Sequence, residues 1–187
     1  MPTAERATDE HILDATLTVL AREGIAGVSM RAVAREADVA VGLANYHFES
    51  KTELISAALR RIGDKDMDLV TAPGGLAPDD ALRHCLRMAV DPSFLTPSYL
   101  SLRLQLWSLA GVDETFAEIN QKAQRRYLEG LADLIASARP ALGRVDIERR
   151  AADILTEQNG VWLTAILITD LDAVERALAR CEQIAFA

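Results

Sequence analysis

The chain has 187 residues, half of them hydrophobic and about a quarter charged, the balance of a soluble globular protein with one or two compact domains. A net charge of −8 argues against a protein that coats nucleic acid without regard to sequence, and two cysteines exclude a disulfide framework, which fits a reducing cytoplasm. No apolar run approaches the ~20 residues of a membrane span, and the charged N-terminus lacks an apolar signal region, so no membrane association is expected.

Alanine, leucine and arginine are the commonest residues, which favours helices throughout. A first helix is predicted over 8–23, with Ile12, Ala15, Val19 and Leu20 on one face and Gly24 as its stop. Ser29 is a suitable N-cap for a short second helix to Ala37, with Met30, Val33, Ala34 and Ala37 facing inward. Asp38-Val39-Ala40 makes a tight joint before a third helix over 41–48. Ser50 and Glu53 have the spacing of a capping box and open a fourth helix through Ile62, whose stripe is Leu54, Ile55, Ala58, Leu59 and Ile62. Residues 71–80 read as a linker, and Pro78 suits the first turn of a helix over 78–91. Further breaks fall at Asp91-Pro92, Thr96-Pro97, Gly111-Val112-Asp113 and Arg139 to Asp146, with a long helix over 114–138 between the last two. Leu100 to Leu106 alternates apolar and polar residues, the period of a strand. Its leucine content and the lack of a partner strand make it a buried helix instead. Helices over 146–168 and 171–185 finish the chain, the last capped by Thr169 or Asp170.

Residues 28–51 carry the functional signal. Two short helices around a three-residue joint have the form of a helix-turn-helix, in which the second helix enters the major groove and the first crosses the backbone. Gly42 allows close approach to a groove wall, and Asn45 both donates and accepts, as a base edge requires. Tyr46, His47 and Lys51 gather phosphate-binding chemistry at the far end, and Ser29 adds a helix N-terminus with a hydroxyl.

The run Val28-Ser29-Met30-Arg31-Ala32-Val33-Ala34-Arg35-Glu36-Ala37, then Val39, Gly42 and Tyr46-His47-Phe48 leading to Ser50-Lys51-Thr52-Glu53-Leu54, resembles the TetR-type family of transcriptional regulators. Ile12-Leu13-Asp14-Ala15 and Glu23-Gly24 fit that family's first helix, and Asn159-Gly160-Val161-Trp162-Leu163 resembles a stretch of the penultimate helix in some members, the choline-responsive subgroup among them. The resemblance implies an all-α fold of about nine helices. It implies a helix-turn-helix domain over 1–50 and a ligand-binding and dimerisation domain over 51–187, entered through a linking helix over 51–62. It further implies a homodimer joined by the last two helices, a palindromic double-stranded operator, and a small-molecule effector that releases the DNA. Residue by residue, it places phosphate contacts on Ser29, Tyr46 and Lys51 and groove contacts on Val41, Gly42, Leu43, Asn45 and His47. Met30 and Arg31, beside the second helix's N-terminus, join this set. Arg31 and Arg35 either reach phosphates or pair with Glu36 and Asp38.

The chain departs from the family at Ala40, often serine, at Val41, often lysine, and at Leu43, often threonine. Apolar side chains still meet thymine methyl groups, so base reading is expected by methyl contact and by Asn45, with weak electrostatic anchoring. Residues 1–62 hold seven Lys/Arg and nine Asp/Glu.

For the effector, Tyr99, Arg103 and Trp107 recur every four residues and share a helical face. They either cradle an anionic or planar ligand, or are core rings around an arginine that neutralises a buried carboxylate. Met88, Phe94 and Trp162 are further pocket candidates. Asn159 and Gln158 either touch ligand or fix register at a dimer seam. No Gly-rich phosphate loop, G-x-S-x-G or H-E-x-x-H occurs, and His84 and Cys85 point apart on a helix. No catalytic residue, cofactor or metal is therefore expected. Two other readings stay open: a helical small-molecule-binding protein or enzyme without DNA binding, and an interaction protein that has drifted from DNA binding.

Overall fold

The computed structural model describes residues 4–168 and 170–187. Among these are nine α-helices, a 3-10 turn at Met67–Val70 and no strand: α1 Ala4–Gly27, α2 Met30–Glu36, α3 Val41–His47, α4 Lys51–Asp66, α5 Pro78–Met88, α6 Pro97–Ala110, α7 Glu114–Ala138, α8 Arg144–Leu167 and α9 Leu171–Phe186. The order matches expectation, with local differences. α1 starts earlier and nominally passes Gly24, but Gly24 has φ 71 and ψ −176, so the regular helix does stop there. α4 runs one turn past Ile62, and α5 stops at Met88. Asp170 caps α9 by accepting from the Ala173 N–H at 3.0 Å; Thr169, the other expected cap, lies outside the described residues.

The chain divides into two compact units. The first comprises residues up to Ile62 together with Ser101–Asn120; the second comprises Gly63–Leu100 and Gln121 onward. In the first, α1 contributes Ile12, Val19 and Leu20, all wholly buried with Val33 and Leu54. The alternating stretch at 100–106 is helical, within α6, and leaves Leu102, Arg103 and Leu106 buried. Helical spacing puts Leu102 and Leu106 on one face, whatever the period-two pattern says. The Gln105 amide donates to the Leu20 carbonyl at 3.0 Å, which fixes α6 to the last turn of α1 before Gly24.

In the second unit α8 and α9 form the most extensive helix pair. Gln158, buried in the middle of α8, accepts from the Tyr127 hydroxyl of α7. The Trp162 indole donates to the Ala89 carbonyl at the end of α5, 2.9 Å away, and so satisfies one of the acceptors a helix leaves open at its C-terminus. Gly130 of α7 is where Val70 enters: a Cβ there would lie 2.8 Å from a Val70 methyl.

Burial pushes both thiols up from the usual value near 9.0, Cys85 to about 11 and Cys181 to about 12, with Glu157 a lesser cause at Cys181. Both folded values exceed the unfolded one. The stability this contributes is complete below pH 9 and falls as pH rises toward 11–12. A Cys85→Ala/Cys181→Ala double variant should lose stability less steeply than the parent above pH 9 in urea titrations. Gly130→Ala should cost about 1–3 kcal/mol by overpacking against Val70, measured at neutral pH.

Candidate nucleic-acid interface

The site is built on two seven-residue helices. Ser29 caps α2: its hydroxyl accepts from the Ala32 N–H at 3.2 Å. Ala32, Val33 and Ala34 are buried, while Arg31 and Arg35 point outward. Neither arginine makes an ion pair among the described residues, because Glu36 is taken by Arg22 at 2.9 Å.

The joint is a Schellman turn with an aspartate in the usual glycine place. Asp38 has φ 53, its N–H donates to Arg35 O at 3.3 Å, and the Val39 N–H donates to Ala34 O at 2.9 Å. Aspartate tolerates this left-handed conformation better than most side chains. His11 of α1 bonds the Ala37 carbonyl at 2.7 Å, which ties the joint to the first helix.

α3 begins at Ala40 without a side-chain cap, and Ala44 is its one wholly buried residue. At 100° per residue, Ala44 inward puts Gly42 and Tyr46 at the centre of the outer face. Val41 and Asn45 lie on one flank and Leu43 and His47 on the other. Tyr46 is 73% exposed, and Val41 and Leu43 are each 39% exposed. Nothing lies within 4 Å of the place a Gly42 Cβ would occupy. His47, expected among the groove contacts, is turned inward: its side chain is 6% exposed and Nδ1 pairs with Asp9 of α1. Its ring meets that of Tyr46 edge-on at 5.2 Å, so it braces Tyr46 from behind.

Lys51 is exposed, and its ammonium donates to the Ile25 carbonyl at 2.9 Å, just beyond the Gly24 break. Ser50 accepts from the Glu53 N–H at 3.1 Å, and Glu53 reaches back to the Glu49 N–H at 2.7 Å. The capping box is present, displaced by one residue at its carboxylate end. Ser29, Met30, Arg31, Val41, Gly42, Leu43, Asn45, Tyr46 and Lys51 thus all sit in the α2–α3 motif or at its edge. Asp9 and His11 escape a reading of the sequence, since their partners are 38 and 26 residues away and no local spacing announces them.

The residues expected to bind effector divide between the units. Arg103 and Trp107 fall in the first, where the guanidinium lies 5.6 Å from the indole centroid. Met88, Phe94, Tyr99, Asn159 and Trp162 fall in the second. There Phe94 and Tyr99 meet edge-to-face at 5.4 Å, and both are buried. The Lys65 ammonium stands 4.7 Å from the Tyr99 centroid and 5.2 Å from that of Phe94. The Tyr99 hydroxyl donates to Asp66. Asn159 keeps a buried Oδ1 with no hydrogen-bond partner. A concave groove of about 510 Å³ lies elsewhere, between the end of α7 and the start of α8, lined by Ala132, Asp133, Leu142 and Ile147 among others; it holds none of the expected effector residues.

Residues 12–58 match the model of the bacterial regulatory proteins of the tetR family, and residues 78–185 match that of the C-terminal domain of BetI-type transcriptional repressors. The chain belongs to the TetR family. It is 26% identical over 160 residues to the HTH-type transcriptional regulator BetI of Burkholderia thailandensis, covering 83% of this chain and 80% of that one. A transcriptional regulator from Pseudomonas aeruginosa PAO1 superposes with a TM-score of 0.80 at 25% identity, covering 94% of this chain and 87% of that one. One from Rhodococcus sp. Rha1 gives 0.76 at 26% identity, covering 95% and 93%. This TetR-family protein is a DNA-binding transcriptional regulator, with a C-terminal domain of the BetI repressor type. TetR regulators form dimers and respond to ligands. No helix among the described residues is long and apolar enough to cross a membrane.

Open space at Gly42 generates a separable prediction. Gly42→Ala should raise stability by up to about 1 kcal/mol, because alanine is the better helix former. In the reading proposed below, where α3 lies in the groove, it should nevertheless weaken DNA binding by filling the open space over Gly42. Thermal unfolding and gel-shift titration of the same variant check both halves.

Proposed function

We propose that this protein is a homodimeric repressor that reads a palindromic operator with α3 and lets go when a small molecule binds its C-terminal domain. The observation that carries the DNA half is the outer face of α3: five of its seven residues are exposed while the helix itself is held from behind. In this reading Val41, Gly42, Leu43 and Asn45 meet base edges. Ser29, Arg31, Tyr46 and Lys51 hold the phosphate backbone on either side, with Met30 beside them at the start of α2. His47 acts on DNA indirectly, by fixing Tyr46.

The dimer is assigned to α8 and α9. Leu163, Leu167 and Ile168 are exposed together at the end of α8, and an apolar patch of this kind needs a partner. Two copies then set their reading helices one helical turn apart, about 34–36 Å, or a multiple of it. The effector half is supported by the edge-to-face pair of Phe94 and Tyr99, by the unpaired Asn159 oxygen, and by Met88 and Trp162 in the same unit. Arg103 and Trp107 fall in the first unit and are not assigned to this site. The protein would work in the cytoplasm, where the operator is.

Selection of bound sequences from a random duplex pool tests this reading. A palindromic motif is expected, with affinity falling steeply as salt rises. Lys51→Ala should weaken binding to all sequences alike, whereas Asn45→Ala should relax preference at one base pair per half-site, worth about 1–3 kcal/mol there. An Asn45→Ala variant with unchanged preference at every position would remove Asn45 from base reading. Failure to enrich any sequence at low salt would overturn the proposal.

A further inference from the structure

We propose that α3 senses the C5-methyl group of a pyrimidine as such, so that 5-methylcytosine substitutes for thymine at the base pair under Val41 and operator affinity responds to cytosine methylation. The inference rests on α3 lying in the major groove as proposed above.

Thymine and 5-methylcytosine present the same methyl group at the same place in the major groove. They differ beside it, where thymine offers an O4 acceptor and cytosine an N4 donor, and on the paired purine, where adenine N6 donates and guanine O6 accepts. Direct readout separates the two only through a hydrogen-bonding group aimed at that base pair. The leading turn of α3 has none: Ala40, Val41, Gly42 and Leu43 follow one another without a polar side-chain atom. In helix-turn-helix docking these first residues of the reading helix are the ones that reach base edges.

The structure leaves that aliphatic edge uncovered. Val41 and Leu43 are each 39% exposed and the space over Gly42 is open, so the valine methyls are accessible from outside the helix. The polar groups that could restore discrimination are elsewhere. Asn45 lies one full turn beyond Val41, about 6 Å farther along α3, and His47 is withdrawn against Asp9 with its side chain 6% exposed. Arg31 and Arg35 belong to α2, the helix that crosses the backbone. What is left to read at the Val41 pair is apolar contact, and burial of one methyl group is worth about fourfold in affinity.

The test uses the full-length protein and the operator that selection enriches. Each T·A pair of the half-site is replaced in turn by deoxyuridine·A, C·G and 5-methylcytosine·G. One pair per half-site should lose about fourfold with deoxyuridine, and there 5-methylcytosine·G should bind about fourfold tighter than C·G. Val41→Ala, an exposed position where alanine is the better helix former, should abolish both differences and keep the preference set by Asn45. If C·G and 5-methylcytosine·G bind equally at every pair of an enriched operator, the methyl-sensing inference fails and the regulator reading stands. If the difference survives unchanged in Val41→Ala, Val41 is not the sensor and the inference fails as stated. If no operator is enriched, the groove-reading function fails and takes this inference with it.

Discussion

A helix of seven residues does not hold itself together in water; isolated helices shorter than ~12–15 residues are marginal even with good formers. α3 is that short, has no side-chain cap and buries one residue completely, Ala44. Its shape is therefore lent to it by its neighbours. The Asp38 turn fixes where it starts, Phe48 is buried at its end, His47 is tied to Asp9, and His11 holds the carbonyl at Ala37. Three of these four restraints reach across to the core or to α1, so the aim of the reading face is set by α1 rather than by α3. That division of labour leaves five of the seven α3 residues exposed, the surface proposed to meet DNA. A longer helix, stable by itself, would have to spend a whole stripe on the core.

Charge constrains how such a face works. The first 62 residues carry more carboxylates than cations, and several cations are already engaged. Arg22 lies between Glu36 and Glu23, hydrogen bonds to which push its pKa above the ordinary arginine range. Arg61 pairs with Asp14 at 2.8 Å. Arg31 and Arg35, both exposed on α2, stay outside these pairs. Attraction to DNA is thus local and short-ranged, and a chain of net charge −8 gains little from nonspecific contact. Shape and apolar contact then have to supply a larger part of the preference for one sequence over another.

The order of helices was legible because it rests on local chemistry: Ser29, Ser50 and Asp170 as caps, Pro78 at a first turn, Gly24 as a stop. α7 begins and ends where Gly111-Val112-Asp113 and Arg139 to Asp146 predict. The strand-like pattern at Leu100 to Leu106 was resolved by leucine's preference and by the absence of partners. What sequence reasoning misses is whatever depends on distance along the chain. Nothing near His47 says that Asp9 draws it inward, and nothing near Lys51 says that Ile25 occupies its ammonium. Nor does any composition shift reveal that residues 101–120 group with the N-terminal helices rather than with those that follow. The candidate DNA face was therefore readable as a set of residues. Which of that set the fold would expose and which it would draw inward, as with His47, was not.

A small molecule shifts a regulator only by the difference in its affinity for two arrangements, so the proposed release of DNA requires elements whose contacts can change together. α4, α6 and α7 each begin in one compact unit and end in the other. The last turn of α4 is held twice by the same aromatic corner. Lys65 stands over the Tyr99 and Phe94 rings, and Asp66 accepts from the Tyr99 hydroxyl. Tyr99 also opens α6, its N–H donating to the Thr96 hydroxyl at 3.2 Å. One residue thus anchors the end of one crossing helix and the start of another. Farther along α6, Gln105 grips the Leu20 carbonyl of α1, the helix that aims α3. In the proposed reading, a ligand that rearranges Tyr99 loosens the last turn of α4 and the first turn of α6 together, both within the second unit.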